Sequence, residues 1–275
     1  MTHDTELPMG SRPIENVAGH WVLARMGKKV LRPGGRELTE RMLGAVPVEG
    51  RDVVELAPGL GLTARAILDL GPASYTGVDE NPEAATIVRS VVEPFGRVVN
   101  GDAAHTGLPD DSADVIVGEA MLTMQTDRGK SAIIGEACRV LRPGGHYAIH
   151  ELGLKPDDVS DDIKNTVRVD LARAIKVNAR PLTLVEWRAA LEAHGLEVVF
   201  AGTAPMALLD PKRVVADEGV RGALRMIVNV LRNRRARARV LGMRRVFRTH
   251  RDTLTAVAMV ARRPLGDDTE KENEE

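Results

Sequence analysis

The sequence predicts an α/β protein built on an open, mostly parallel sheet with helices on both faces. Two observations predict it. Short apolar runs alternate with helical patterns along most of the chain, the rhythm of a parallel sheet covered on both sides. Glycine and proline turns separate those runs at regular intervals, which marks where each element stops.

The elements follow in order. Residues 1–12 form an arm, and the opening MTHDTELPMGSRP lacks the apolar core of a signal peptide. Ile14 to Val46 reads as helix, broken at Arg32-Pro33-Gly34-Gly35, because proline disfavours helix before it and two glycines permit a sharp turn. Asp52 to Ala57 is the first strand and ends in Pro58-Gly59-Leu60-Gly61. Thr63 to Leu70 is a helix, Ser74 to Asp79 a strand, and Pro82 to Glu93 a helix with proline in its first turn. Arg97 to Asn100 and Ala113 to Gly118 are strands. Arg128 to Leu141 is a helix, stopped by Arg142-Pro143-Gly144-Gly145 before a strand from His146 to Glu151. A helix from Leu184 to His194, a strand from Gly195 to Phe200 and a last strand from Thr253 to Ala261 complete the set. LRPGG thus occurs twice without being a domain repeat. Its first copy joins two helices ahead of the sheet, and its second joins a helix to a central strand.

The chemistry sits after the first strand. Gly59-Leu-Gly-Leu-Thr-Ala64 fits a GxGxx[G/A] loop, and Asp79 ends the next strand about 20 residues on, as a ribose-binding acid should. Either a nicotinamide dinucleotide or another nucleoside satisfies this spacing. Glu55 separates the two, since a carboxylate there would repel a pyrophosphate and attract an ammonium or sulfonium.

With these residues in view, the chain resembles the class I S-adenosylmethionine-dependent methyltransferases of the small-molecule branch. The likeness rests on VVELAPGLG (Ala57-Pro58 replaces the commoner first glycine), YTGVDENP, Gly101-Asp102-Ala103, LPDDSADVIVGEAMLTM and RVLRPGG. It runs from Val53 to Leu152, and more loosely to Ala261. The resemblance implies a Rossmann-like open twisted sheet, mostly parallel with an antiparallel last strand. It implies S-adenosyl-L-methionine as cofactor, with Glu55, Ala57, Gly59 and Gly61 around the methionine end and Asp79 on the ribose hydroxyls. Asp102, with the Ala103 backbone nearby, would meet the adenine, and Glu119 with Ala120 would border the transferable methyl.

The domain organisation follows. Residues 1–46 are an arm and helical lid, 47–264 the methyltransferase domain with a helical insertion at 205–251, and 265–275 a disordered acidic tail. The lid proper spans 14–30 and buries Val17, Trp21, Val22, Met26 and Val30 over the ligand crevice; the alternative is a static helix packed on the sheet's flank. The first LRPGG is its hinge, and Lys28, Lys29 or Arg32 reaches the ligands.

Methyl transfer from a sulfonium needs mainly alignment, plus a base when the acceptor must lose a proton. The base candidates are His150, at the end of its strand, and His20, in the lid; His105 is a weaker one. Lone Cys138 argues against arsenite chemistry and fits a cytoplasmic protein. No [DN]PP[YF] motif follows the fourth strand, no cluster has metal-ligand spacing, and no apolar run is long enough to span a bilayer. Net charge of −1 argues against nucleic acid. Residues 219–251 carry eleven arginines and no acid. There, Leu224, Ile227, Val228 and Leu231 recur at helical spacing, either packed on the sheet or facing an anionic substrate, an acidic lipid surface or a partner. The expected function is methyl transfer to a small-molecule acceptor. The alternatives are a nicotinamide-dependent oxidoreductase and a non-catalytic S-adenosylmethionine-binding module.

Overall fold

The computed structural model describes residues 7, 8 and 12–265. Most of the tail expected to be disordered, 266–275, lies outside the described residues. The described strands are β1 (Asp52–Leu56), β2 (Ser74–Asp79), β3 (Gly96–Asn100), β4 (Ala113–Glu119), β5 (Leu141–Leu154), β6 (Leu182–Thr183), β7 (Glu197–Pro205) and β8 (Leu254–Arg262). They form one sheet in the order β3-β2-β1-β4-β5-β8-β7, with short β6 pairing β5 off this path. The pairs from β3 through β5 are parallel, while β8 runs antiparallel to both β5 and β7.

The helices are α1 (Gly19–Arg25), α2 (Gly35–Leu43), α3 (Leu62–Leu68), α4 (Pro82–Val92), α5 (Asp127–Val140), α6 (Asp161–Ile175), α7 (Leu184–Glu192), α8 (Pro211–Arg232) and α9 (Arg234–Thr249). Their starts follow from local chemistry. The Asn81 side chain accepts from the Glu83 and Ala84 N–H groups, and Pro82 opens α4. Thr183 and Glu186 cap α7 reciprocally. Leu38, Met42, Ala64, Ile67, Val88 and Val92 from α2, α3 and α4 fill one face of the sheet. Ile133, Ile134, Ala137, Trp187 and Leu191 from α5 and α7 fill the other. Helices α1, α6 and α9 build a third core over the end of the sheet, through Trp21, Leu23, Leu171, Val240, Met243 and Phe247.

Several expectations change. The second LRPGG is no connector: β5 already pairs β4 at Leu141, and the step from Ala113 to Val115 faces the step from Leu141 to His146. Arg142 to Gly145 form an irregularity inside the strand, held by Arg142 on Asp52 and Asp114 at 3.0 Å each. A Cβ on Gly145 would stand 2.9 Å from the Arg142 and Asp114 carbonyl oxygens, so only glycine fits. Helix α6 and strand β6 lie where the sequence suggested no element, and β7 runs on to Pro205. Helix α2 belongs to the sheet's core, not to a lid. The apolar stripe of α8 does not pack on the sheet either: Leu224, Ile227, Val228 and Leu231 are exposed.

Candidate active site

A cavity of about 540 Å³ lies between the carboxyl ends of the central strands and the cap of α1, α6 and α9. Its two ends differ in chemistry. One is the loop after β1 with the last residues of β2 and β4, lined by Glu55, Ala57, Gly59, Asp79 and Glu119. The other is apolar, lined by Trp21, Leu23, Leu171, Ile175, Met243 and Phe247.

The loop is shaped by left-handed residues. Ala57 (φ 52°) and Gly59 (φ 57°) turn the chain back beneath β2, and Gly61 (φ 73°) caps α3. Gly61 is not itself at the cavity wall, and a Cβ there would meet the Val91 side chain at 3.1 Å. The Gly59 N–H donates to Asp79 Oδ2 at 3.2 Å and the Asn81 N–H to Oδ1 at 2.9 Å. Asp79 is 6% exposed. Burial raises its pKa, and those two N–H groups oppose the rise.

Two glutamates on neighbouring strands have opposite electrostatics. Glu55, 3% exposed, accepts from the Tyr75 hydroxyl at 2.6 Å, and burial pushes its pKa up to about 8. Burial would raise Glu119 too. Instead the Arg32 guanidinium, then His150 and Thr39, hold it at about 2. Thr39 Oγ1 donates to Glu119 Oε1 at 2.5 Å, Thr63 donates to Oε2, and Arg32 lies 3.1 Å from the same oxygen. The Nε of Arg32 is buried without a partner among the described residues.

The structure redistributes the predicted roles. His150 is fully buried and absent from the cavity wall. Its Nδ1 faces Glu119 Oε1 at 2.9 Å and Thr39 Oγ1 at 3.2 Å, and its Nε2 faces the Pro33 carbonyl at 2.6 Å. With both nitrogens taken up by protein oxygens, His150 has none to offer an acceptor; it positions Glu119 and the first LRPGG. That turn is therefore fastened to the sheet and is no free hinge. His20 does line the cavity, beside Trp21 with ring centroids 4.8 Å apart, and burial lowers its pKa to about 4.

Asp102 and Ala103 are not at the cavity wall. Asp102 Oδ1 accepts from the Ala104 N–H at 2.8 Å, and exposed His105 lies 3.7 Å from its other oxygen. This loop nevertheless leaves the sheet beside the ribose acid, because the Gly101 N–H and the Asn100 side chain both donate to the Asp79 carbonyl, at 3.1 and 2.8 Å. Lys28 is buried against Asp217 (3.4 Å) and Glu218 (3.7 Å), so it fastens α8 and does not face ligands, whereas Lys29 and Arg32 do line the cavity. Sequence reasoning missed Thr39, Thr63 and Tyr75, which bind the glutamates, and the cavity residues of α6 and α9. A lone threonine in a helix carries no signal of its partner dozens of residues away.

Residues 54–149 match a family model described as a methyltransferase domain. The chain is 30% identical to an uncharacterized protein of Haemophilus influenzae over 85% of its own length and 92% of the relative's. It is 31% identical to sterol 24-C-methyltransferase erg-4 of Neurospora crassa over 54% of its length, which spans only 40% of that relative. In structure it is similar to phospholethanolamine N-methyltransferase 2 of Haemonchus contortus, solved with phosphomonomethylethanolamine and S-adenosylhomocysteine. The TM-score there is 0.67 at 14% identity, covering 90% of this chain and 57% of that one.

Proposed function

The chain belongs to the class I S-adenosylmethionine-dependent methyltransferases, and from that premise we propose that it methylates a small cytoplasmic acceptor with an apolar body. Membership of the family displaces the nicotinamide reading. S-adenosylmethionine is the cofactor, and the polar end of the cavity suits it. Buried carboxylates at Glu55 and Asp79 carry a desolvation cost that a cationic ligand and its ribose hydroxyls would relieve. The Gly59 backbone leaves room for close approach.

When bound, the cofactor supplies a methyl group already activated on a sulfonium, so alignment and exclusion of water are the protein's main work. In this reading Glu55, Ala57 and Gly59 hold the methionine end and Asp79 accepts from the ribose. Asp102 and Ala103, on the loop tied to Asp79, border the adenine. The free Nε of Arg32 is a donor for a carboxylate in the cavity. Glu119 stays anionic and fixes Arg32, Thr39 and Thr63 around the reaction centre. His20 takes the proton from acceptors that must lose one. It is neutral at ordinary pH and has no hydrogen bond among the described residues.

The observation that carries the proposal is the apolar half of the cavity, built by Trp21, Leu23, Leu171, Ile175, Met243 and Phe247 opposite the carboxylates. The sterol relative supports it. The test measures S-adenosylhomocysteine release on phenols, thiols, amines and carboxylates, each series carrying apolar bodies of increasing size. Turnover per KM should climb with apolar size inside the productive series. Highest turnover on compact, charged acceptors would overturn the proposal.

A further inference from the structure

Helix α8 is two helices in one span. Gly219 (φ 69°, ψ 167°) leaves the helical region and separates an anchored first part from a second part starting at Val220. The first part is fixed by Lys28 on Asp217 and Glu218. The second buries only Ala223 and Met226. Its outer side carries Val220, Leu224, Ile227, Val228 and Leu231, all between 42% and 64% exposed. At about 100° per residue these five fall within roughly 100° of the helix circumference. Arg221, Arg225 and Arg232 border that strip on one side, and no acidic residue occurs between Gly219 and Arg251. On neighbouring α9, Leu241 is also exposed, while Met243 and Phe247 turn inward to the cavity.

We propose that the outer face of residues 220–232, with Leu241, docks on an anionic lipid bilayer surface. A strip of large aliphatic side chains edged by arginines matches acyl chains beneath negative headgroups. The alternatives match less well. A two-fold contact between copies would set arginine against arginine, with no acid on this segment to neutralise them. A single-stranded nucleic acid would want aromatic faces, and the strip has none. Docking this way lays α9, one wall of the cavity, against the membrane. It uses no contact of the cofactor, so it stands apart from the proposed reaction.

The test floats the full chain with vesicles of phosphatidylcholine, and of phosphatidylcholine mixed with phosphatidylglycerol, at low and high salt and with no acceptor present. The protein should float with the mixed vesicles only, and salt should weaken it. Arg221→Gln and Arg232→Gln should each lower partitioning about fivefold. Leu224→Ser combined with Ile227→Ser should lower it at least about tenfold. Cofactor binding and thermal midpoint should not change in any variant. Failure of the unaltered protein to float, equal flotation on neutral vesicles, or unchanged flotation of the serine variant overturns the proposal. So does a concentration-dependent dimer in sedimentation velocity that the serine substitutions abolish, since the strip would then be a contact between copies.

Discussion

Glu55 and Glu119 face one cavity from adjacent strands, and their surroundings drive them in opposite directions. Glu55, pushed up to about 8, keeps its proton in the folded protein through the window from its ordinary value to about pH 8, where the unfolded chain has lost it. Stability contributed by that proton falls as pH rises through this window. Glu55→Gln should therefore gain thermal midpoint relative to the unaltered protein as pH goes from about 5 to about 8, measured without ligand. A cation in the cavity favours the carboxylate, so cofactor binding should release a proton and tighten with pH until about 8. Calorimetry in buffers of different ionisation enthalpy checks this, and the dependence should vanish in Glu55→Gln. Glu119 behaves oppositely. Held at about 2, it contributes stability above the ordinary glutamate range that is lost as pH falls toward 2. Asp79→Ala removes an acceptor for ribose hydroxyls and should cost on the order of 2–4 kcal/mol of cofactor affinity by titration calorimetry. His20→Ala should lower kcat about a hundredfold on acceptors that must lose a proton, and little on those that need not. Since burial keeps His20 neutral down to about 4, the rate should show no acid limb near the usual histidine pKa.

At the scale of elements, arginines of α9 stitch the cap to the residues ahead of α1: Arg235 pairs with the Glu15 carboxylate at 3.1 Å, and Arg239 reaches three backbone carbonyls. Arg239 of α9 donates to the carbonyls of Ile14 and Glu15 at 2.9 Å and of Val17 at 3.1 Å. Arg239→Ala should cost about 2–3 kcal/mol in urea unfolding, since a charge-assisted donor is lost and three carbonyls lose their partner. The lid expectation narrows to α1. Hydrogen exchange in residues 14–30 should slow when S-adenosylhomocysteine binds. Residues 31–46 should already be protected without it, because His150 holds the Pro33 carbonyl and α2 fills the core. Elements whose ends carry their own chemistry were legible in the sequence: Asn81-Pro82 begins α4, and Pro58-Gly59-Leu60-Gly61 closes β1. Helix α6 was not, because only Val167 and Leu171 of its fifteen residues are buried, so its apolar period is faint. The second LRPGG misled because a proline–glycine run that usually ends an element here bends one strand without ending it.

For the whole molecule, the sheet and the place of α1 over the crevice were legible, while the cavity walls from α6 and α9 were not. Strand ends announce Glu55 and Asp79 by position, since ligands in open α/β sheets bind at the carboxyl edge. The cavity's other half comes from α1, α6 and α9, stretches far apart in the chain whose meeting leaves no local signature. The same holds for Arg32, Thr39, Thr63 and His150, which come together only around Glu119.

Strand β8 lies between β5 and β7, although it comes after both in the chain. During synthesis, β5 and β7 emerge before the strand that separates them. Until residues 254–262 leave the ribosome, each presents a naked edge to the other and to neighbouring chains, the condition under which strands pair wrongly. Leu254 to Ala261 is buried throughout, so the strand enters the middle of the sheet with its apolar faces covered on both sides. The sheet of a nascent chain is therefore completed only once its last strand is free to enter between two earlier ones.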